Sequence, residues 1–211
     1  MLKAAKRAAD VMSAITPDVT SKVLHSVADA LVANADEILE ANRRDLSAMD
    51  PKDSKYDRLA LSVARIESIA SDMHRVAELP APAWRVLETF QRPNGMVINK
   101  ISVPLGVVGV IYEARPNVTA DVFSLCLRSG NVAVLKSGSD AAFSSQAIAD
   151  VICRELAGFS LPQALCTLLP STRQAASQLL SAKEYVDVII PRGSSGLIKF
   201  VRENASLPVI E

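Results

Sequence analysis

The sequence predicts a doubly wound α/β fold, in which a parallel β-sheet is flanked by helices and preceded by a helical lead-in. From residue 104 onward, short β-branched apolar runs alternate with segments of helical periodicity. Continuous apolar runs are typical of strands that are buried on both faces of a parallel sheet. Before residue 79, apolar residues recur instead at steps of three and four, which is the spacing of amphipathic helices. This order of elements is typical of doubly wound sheets.

The first 78 residues predict helices. Thr16 offers a capping hydroxyl, Pro17 suits the first helical turn, and Asp18 complements the positive end of the helix dipole. A later helix is expected over residues 54–78. Its apolar stripe consists of Leu59, Val63, Ile66, Ile69, Met73 and Val76.

Prolines between residues 79 and 93 end the helical part. Asn94 and Gly95 then predict a hairpin turn between strands at 88–92 and 96–103.

The second part of the chain predicts buried strands separated by helices. Strands are expected at 107–111, 132–135, 164–169 and 186–190, and residues 208–210 predict the start of a fifth. Helices are expected at 117–129, 140–157, 172–182 and 195–204. Ser171 with Gln174 predicts a capping box at the third of these helices.

Composition narrows the class of protein. The 211 residues include 49% apolar and 22% charged residues, close to the globular average. Because 23 basic residues balance 23 acidic ones and aromatics are only 4%, a nucleic-acid partner is not expected. No apolar run reaches the roughly 18 residues of a spanning helix, so no membrane association is expected either.

The three cysteines, Cys126, Cys153 and Cys166, are widely spaced and form no CxxC pair. This pattern argues against a disulfide framework and against a metal site, and a cytoplasmic location fits it best. Each cysteine is interpreted as a buried, inert residue. His25 and His74 are interpreted as surface or packing residues, since no acid and nucleophile lie near them in the sequence.

Ligands of open parallel sheets bind at the carboxyl ends of the strands. Gly193, Ser194 and Ser195 follow the fourth apolar run and lead into a helix, a composition that suits a phosphate group. A tight strand-to-helix turn explains the same residues equally well. Lys136, followed by Ser137 and Gly138, could hold a ribose hydroxyl or a phosphate, although a solvated loop lysine is the simpler explanation.

Asn117 follows a proline at an expected helix start. A helix cap is the more common role of such a residue. The functional alternative is an amide donor directed at a developing oxyanion.

Several of these segments together resemble the gamma-glutamyl phosphate reductase family of the aldehyde dehydrogenase superfamily. The most specific similarity is the run Ile111-Tyr112-Glu113-Ala114-Arg115-Pro116-Asn117. Further similarities are at residues 42–45, 57–61, 104–110, 121–131 and 188–193, so the resemblance covers nearly the whole chain.

The resemblance implies an aldehyde dehydrogenase-like, Rossmann-like cofactor domain and an NADPH-dependent reduction of L-glutamyl 5-phosphate to L-glutamate 5-semialdehyde in proline biosynthesis. In this superfamily a cysteine thiolate attacks the acyl carbon, phosphate leaves, and hydride reduces the resulting thioester. By resemblance, Asn117 contributes to an oxyanion hole, Lys136 with Ser137 and Gly138 holds the adenosine ribose, and residues 193–195 lie near the pyrophosphate. Arg115 is expected to meet an anionic group of the substrate. The choice between NADPH and NADH stays open.

The resemblance also implies a division of the chain. Residues 1–85 would be the helical lead-in of the cofactor domain, 86–103 a hairpin used in oligomer contacts, and 104–211 the NADP-binding core. The complete enzyme is expected to be a homo-oligomer. None of the three cysteines matches the motif of the family nucleophile, so the catalytic domain is expected to be absent and the chain alone to be inactive.

Two alternatives are compatible with the sequence. The chain could be a non-catalytic module, derived from an aldehyde dehydrogenase, that binds a nucleotide or a partner. It could also belong to an aldehyde dehydrogenase with another acyl substrate, although the sequence of the Arg115-Pro116-Asn117 loop argues against this.

Overall fold

The computed structural model describes residues 1–211. Its helices are α1 (Leu2–Met12), α2 (Pro17–Ala33), α3 (Ala35–Ser47), α4 (Tyr56–Leu59), α5 (Val63–Glu78), α6 (Asn117–Arg128), α7 (Ala142–Gly158), α8 (Arg173–Leu180) and α9 (Ser195–Asn204). Its strands are β1 (Val86–Gln91), β2 (Val97–Ile101), β3 (Val107–Tyr112), β4 (Val132–Lys136), β5 (Cys166–Leu168) and β6 (Val188–Arg192).

Four strands form the expected parallel sheet, in the order β5-β4-β3-β6. Val107 pairs with Val132 of β4, and Val108 pairs with Val188 of β6, so β3 lies between these two strands. The predicted fifth strand is reduced to one parallel bridge between Val209 and Ile189. The α/β class with a parallel sheet is confirmed, and every strand of this sheet ends at the same edge.

The helical lead-in and the sheet share one hydrophobic core. Every residue of β3 is buried, and α1 packs on β4. Helix α2 packs between α5 and α7. The start of α2 is as predicted, since Pro17 occupies its first turn and the Thr16 hydroxyl accepts a hydrogen bond from the backbone N–H of Val19.

Strands β1 and β2 form the predicted antiparallel hairpin beside this core. Gly95 adopts φ +84° at the turn, a conformation that favours glycine. Every residue of both strands is exposed, including Phe90 and Ile98.

The helix predicted over 54–78 is wrong at its start, because the chain forms two helices there. The side-chain amide of Asn42 donates to the Leu59 carbonyl at 2.8 Å, and its oxygen accepts from the Leu61 N–H at 2.8 Å. These bonds hold the backbone in an extended link between α4 and α5. The Ser62 hydroxyl then caps α5 by accepting from the Arg65 N–H.

The capping box predicted from Ser171 and Gln174 is also wrong. Thr172 caps α8, since its hydroxyl accepts from the Ala175 N–H at 3.1 Å. The Ser171 hydroxyl contacts the Ser137 hydroxyl instead, at 2.9 Å.

Three other elements begin later than predicted. Single 3₁₀ turns at Gln163–Leu165 and Ser139–Ala141 precede β5 and α7. Strand β6 begins at Val188. The side chain of the preceding Asp187 accepts a hydrogen bond from the Val107 N–H at 2.8 Å and binds the Lys6 ammonium at 2.7 Å.

No helix of the structure is long and apolar enough to cross a membrane.

A distant carboxylate caps α7, whose own N-terminal residue supplies no side-chain cap. Asp45 on α3 is buried and accepts from the N–H of Phe143 at 3.1 Å and from the N–H of Ser144 at 2.7 Å. The Ser144 hydroxyl donates to the same carboxylate at 2.5 Å. The interaction satisfies helix N-terminal donors and joins the lead-in to the sheet layer.

We expect Asp45→Ala to lower the free energy of unfolding by about 2–3 kcal/mol, because buried donors at the start of α7 lose their acceptor. Urea unfolding followed by circular dichroism measures this change. The control is Glu40→Ala on the same helix, which removes only an exposed ion pair with Arg43 and should cost no more than about 0.5 kcal/mol. Equal effects of the two substitutions would contradict the structural role of Asp45.

Candidate functional site

The candidate site lies at the carboxyl edge of the sheet, where the chain changes direction. From β3 the chain adds β4 and β5 on one side, and β6 then pairs with the opposite side of β3. Open α/β sheets bind ligands outside such a switch point. The loops that follow β3, β4 and β6 therefore form the expected place for a ligand.

Glu113 joins these loops. It directly follows β3, and its carboxylate accepts from the Ser194 N–H at 3.0 Å and from the Ser194 hydroxyl at 2.8 Å. A Cβ added at Gly138 would lie 3.4 Å from the Glu113 backbone, and one added at Gly193 would lie 2.8 Å from the Glu113 carboxyl carbon. A side chain at residue 193 would therefore displace the carboxylate of Glu113.

The structure places residues 193–195 at the start of α9, as the sequence predicted. The Ser194 hydroxyl caps this helix by accepting from the Leu197 N–H at 3.3 Å, so both of its polar functions are already engaged. Ser195 is exposed at the first helical position, where its backbone N–H has no carbonyl one turn earlier within the helix. The role of these residues toward a pyrophosphate stays a prediction.

Lys136 ends β4 and is half-buried. Burial lowers the pKa of its ammonium below the ordinary lysine value, and no carboxylate lies within 4 Å of it. Ser137 is fully buried, and its hydroxyl faces Ser171. The lysine is thus available to a ligand, whereas the Ser137 side chain ties two loops together.

Asn117 is not a helix cap. It occupies the first position of α6, and its amide donates to the Asp121 carboxylate at 3.0 Å. Burial raises the pKa of Asp121 above the ordinary aspartate value, and the hydrogen bond from Asn117 opposes that rise. Asn117, Asp121 and Arg115 line a cavity of about 300 Å³.

A second cavity of about 320 Å³ lies at the switch point itself. Arg115 and Glu113 reach it from the loop after β3, Arg192 and Ser194 from the end of β6, and Arg58 from α4. Arg58 and Arg115 line both cavities, which are therefore neighbours. Lys136 lines neither of these cavities.

From the sequence, Arg192 was considered only as a positive charge beside the phosphate-like loop, and Glu113 and Arg58 were not selected. Glu113 stands at a strand end, so the rule that selected Lys136 could have found it. Arg58 carried no such signal, because its place beside the sheet depends on the break between α4 and α5.

The cysteines lie outside both cavities. Burial raises the pKa of the Cys126 thiol to about 12. It also raises the pKa of Cys166 well above the ordinary value, and that of the half-buried Cys153 to a smaller extent. Since the thiolate is the nucleophilic form, none of the three has the environment of a reactive cysteine.

The two histidines meet each other, which the sequence did not predict. Their Nδ1 atoms are 2.7 Å apart and their rings stack with centroids 5.0 Å apart. The Nε2 atom of His74 lies 3.2 Å from the Asp29 carboxylate. The pair joins α2 to α5, as a packing role implies.

Comparison with known proteins gives a consistent result over the whole chain. The model of the aldehyde dehydrogenase family matches residues 1–210. A gamma-glutamyl phosphate reductase from Parabacteroides distasonis is 53% identical over 211 residues, which are 100% of this chain and 51% of that protein. One from Chlorobium phaeobacteroides is 55% identical over 191 residues, which are 90% of this chain and 46% of that protein. The chain thus spans about half the length of the curated relatives it matches.

Solved structures agree with this result. The gamma-glutamyl phosphate reductase of Thermotoga maritima superposes with a TM-score of 0.95 at 36% identity, covering 100% of this chain and 52% of that one. The enzyme of the same name from Saccharomyces cerevisiae gives 0.90 at 31% identity, covering 99% and 54%. An acetylating aldehyde dehydrogenase from Geobacillus thermoglucosidasius, at 19% identity, covers 99% of this chain and 44% of that one with a TM-score of 0.72, which shows a shared fold.

We expect Cys126 and Cys166 to resist alkylation by iodoacetamide near neutral pH, and Cys153 to react more slowly than a free thiol. A raised pKa leaves less thiolate at a given pH, and alkylation should accelerate only as the pH rises toward that pKa. Peptide mass spectrometry measures the modification of each cysteine, and the protein unfolded in guanidinium, in which all three should react, is the control. Rapid labelling of Cys126 or Cys166 in the folded protein would show that the burial is wrong.

Proposed function

The chain belongs to the aldehyde dehydrogenase family, and we propose that residues 1–211 are the cofactor-binding part of a gamma-glutamyl phosphate reductase. The complete enzyme reduces L-glutamyl 5-phosphate to L-glutamate 5-semialdehyde with NADPH and releases phosphate. The reaction belongs to proline biosynthesis and takes place in the cytoplasm. The proposal extends to this chain the activity that its relatives carry in their names.

The observation that carries a cofactor role is the unpaired cation of Lys136. Its ammonium is half-buried at the carboxyl end of a central strand, and burial lowers its pKa. A partly desolvated ammonium without an acceptor is unfavourable until a ligand supplies one. Ribose hydroxyls or the phosphate of an adenosine moiety are suitable acceptors.

The loop at the start of α9 suits the diphosphate of the same cofactor. Ser195 presents a hydroxyl and the first backbone N–H of a helix, and Gly193 carries no side chain that would block approach. The carboxylate of Glu113 holds Ser194 and thereby fixes the loop. When bound, NADPH supplies the hydride of the reaction.

Asn117 and Arg115 are proposed to act on the substrate. The Asn117 amide stabilises negative charge that develops on the acyl oxygen, and its bond to Asp121 fixes its orientation. Arg115 meets an anionic group of the substrate from the same cavity.

The three cysteines of this chain are not proposed as nucleophiles, because burial raises the pKa of each. We therefore propose that residues 1–211 alone bind the cofactor without catalysing the reduction. The hairpin of β1 and β2, whose apolar side chains are exposed, contributes to contacts between subunits of the homo-oligomeric enzyme.

We expect NADPH to bind the chain and Lys136→Ala to weaken binding about ten- to a hundredfold, as for loss of a charge-assisted hydrogen bond. Titration followed by NADPH fluorescence measures the dissociation constant. Lys183→Ala is the control, since Lys183 is exposed and distant from the strand ends. Equal affinities of the two variants, or no binding at millimolar NADPH by a folded chain, would refute the assignment.

We expect no NADPH oxidation when the chain is incubated with freshly prepared L-glutamyl 5-phosphate, because no cysteine lines either cavity of the candidate site. Absorbance of the reduced nicotinamide measures the reaction, and a full-length reductase provides the positive control. Turnover that disappears after alkylation of a cysteine would contradict the proposal that residues 1–211 bind the cofactor without catalysing the reduction.

A further inference from the structure

We infer that Asn42 is a positioning residue for the turn that follows β4, at whose start Lys136 stands. Asn42 acts on this turn through two other buried polar side chains, those of Ser144 and Asp45. The inference rests on the proposed function for the role of the turn in cofactor binding, and adds the side chains that hold the turn in place.

Asn42 uses both donors and the acceptor oxygen of its amide within the chain. It lies on α3 and is 1% exposed. Its nitrogen donates to the Leu59 carbonyl at 2.8 Å and to the Ser144 hydroxyl at 3.0 Å, and its oxygen accepts from the Leu61 N–H at 2.8 Å. Among short side chains only an amide supplies two donors and an acceptor together, so neither aspartate nor alanine could make the same contacts.

Asp45 extends these contacts to the start of α7. The Ser144 hydroxyl, which accepts from Asn42, donates to the Asp45 carboxylate at 2.5 Å. The same carboxylate accepts from the N–H groups of Phe143 and Ser144 at 3.1 and 2.7 Å. Asn42, Ser144 and Asp45 thus form one buried hydrogen-bond network. A buried network whose members are all satisfied holds its parts rigidly.

The start of α7 in turn determines the position of the site loop. Strand β4 ends at Lys136, and α7 begins at Ala142. Only residues 137–141 lie between them, and 139–141 form a single 3₁₀ turn. Because so short a segment is fixed at both ends, the place of the first turn of α7 decides where the backbone after Lys136 lies.

The other end of the network holds α4. Leu59 is the last residue of α4, so the Asn42 amide fixes this helix relative to α3. Lys55, which precedes α4, lies 3.9 Å from the Asp140 carboxylate in the turn after β4. An exposed ion pair of this kind contributes little, so the buried network sets the distance between α4 and the turn. Since Arg58 of α4 lines the cavity at the switch point, the network connects two sides of the candidate site.

A positioning role differs from a purely stabilising one in what its loss changes. A residue that only stabilises the fold affects the site by unfolding the whole chain. The hydrophobic core that joins the lead-in to the sheet is built from other residues, so the chain should stay folded without the Asn42 amide. Loss of the amide should then loosen the turn after β4 in the folded chain.

The first test is hydrogen–deuterium exchange without ligand, measured by mass spectrometry. We expect Asn42→Ala to accelerate exchange at least about threefold in peptides that cover 137–144. The N–H groups of Phe143 and Ser144 bond to Asp45 and not to Asn42, so such an effect has crossed the network. Ser144→Ala should likewise accelerate exchange in peptides that cover 60–62.

Ile38→Ala is the matched control for this measurement. Ile38 lies on the same helix as Asn42 and is buried, so its truncation lowers stability through lost packing and leaves the network intact. Acceleration that stays within the substituted segment, or that Ile38→Ala produces equally, would overturn the inference.

The second test is the affinity of each folded variant for NADPH. We expect Asn42→Ala and Ser144→Ala to weaken binding about three- to thirtyfold, as for loss of coupling through a packed network. Ile38→Ala should change affinity less than about twofold, even where it lowers the unfolding temperature as much. The double variant should bind no more weakly than the weaker single variant, because both substitutions break one contact.

The outcomes separate this inference from the proposed function. Absence of NADPH binding by the unsubstituted chain would refute the cofactor role, and exchange alone would then decide the inference. NADPH binding that Asn42→Ala and Ser144→Ala leave unchanged would overturn the inference and leave the cofactor role intact. Thermal unfolding verifies that each variant is folded. If Asn42→Ala does not fold, Ser144→Ala decides both tests, since it retains the backbone N–H groups that bond to Asp45.

Discussion

The burial of β3 between two parallel neighbours determines where everything else in the candidate site can lie. A Cβ at Gly109 in the middle of this strand would lie 3.2–3.3 Å from side-chain atoms of Leu179, Val186 and Ile189. These side chains therefore pack closely on the strand and leave little room for a larger residue. Because β4 and β6 run parallel to β3 on either side, the residues after all three strands emerge at one edge. The charged side chains of this edge come from distant parts of the sequence, and only the register of the sheet brings them together.

Charge is distributed unevenly along that edge. Glu113 satisfies the donors of Ser194 and links the loops after β3 and β6, while Lys136, Arg115 and Arg192 have no carboxylate within 4 Å. Such an arrangement lowers the stability of the free protein slightly and favours binding of an anion. The same edge thus offers Lys136 at the end of β4 and exposed arginines after β3 and at the end of β6.

Much of the fold follows from the sequence because its strongest signals are local and mutually consistent. The β-branched runs predicted the parallel strands, Thr16-Pro17-Asp18 predicted the start of α2, and Asn94-Gly95 predicted the hairpin turn. The errors arose where a distant side chain decides the backbone. Asn42 interrupts the helix expected over 54–78, Asp45 caps α7, and Ser137 draws Ser171 away from α8. No local pattern contains that information. The rule of strand ends anticipated Lys136 and residues 193–195 as site candidates, but Arg58 becomes a candidate only through tertiary packing.

The loops after β3, β4 and β6 are expected to form one ligand site. Hydrogen–deuterium exchange of the chain, measured by mass spectrometry with and without NADPH, is the decisive experiment. We expect slower exchange with NADPH in peptides that cover residues 112–117, 136–140 and 192–197, with little change in α1, α3 or the hairpin. Protection that is confined to the helical lead-in or to the hairpin, with the three loops unaffected, would contradict it.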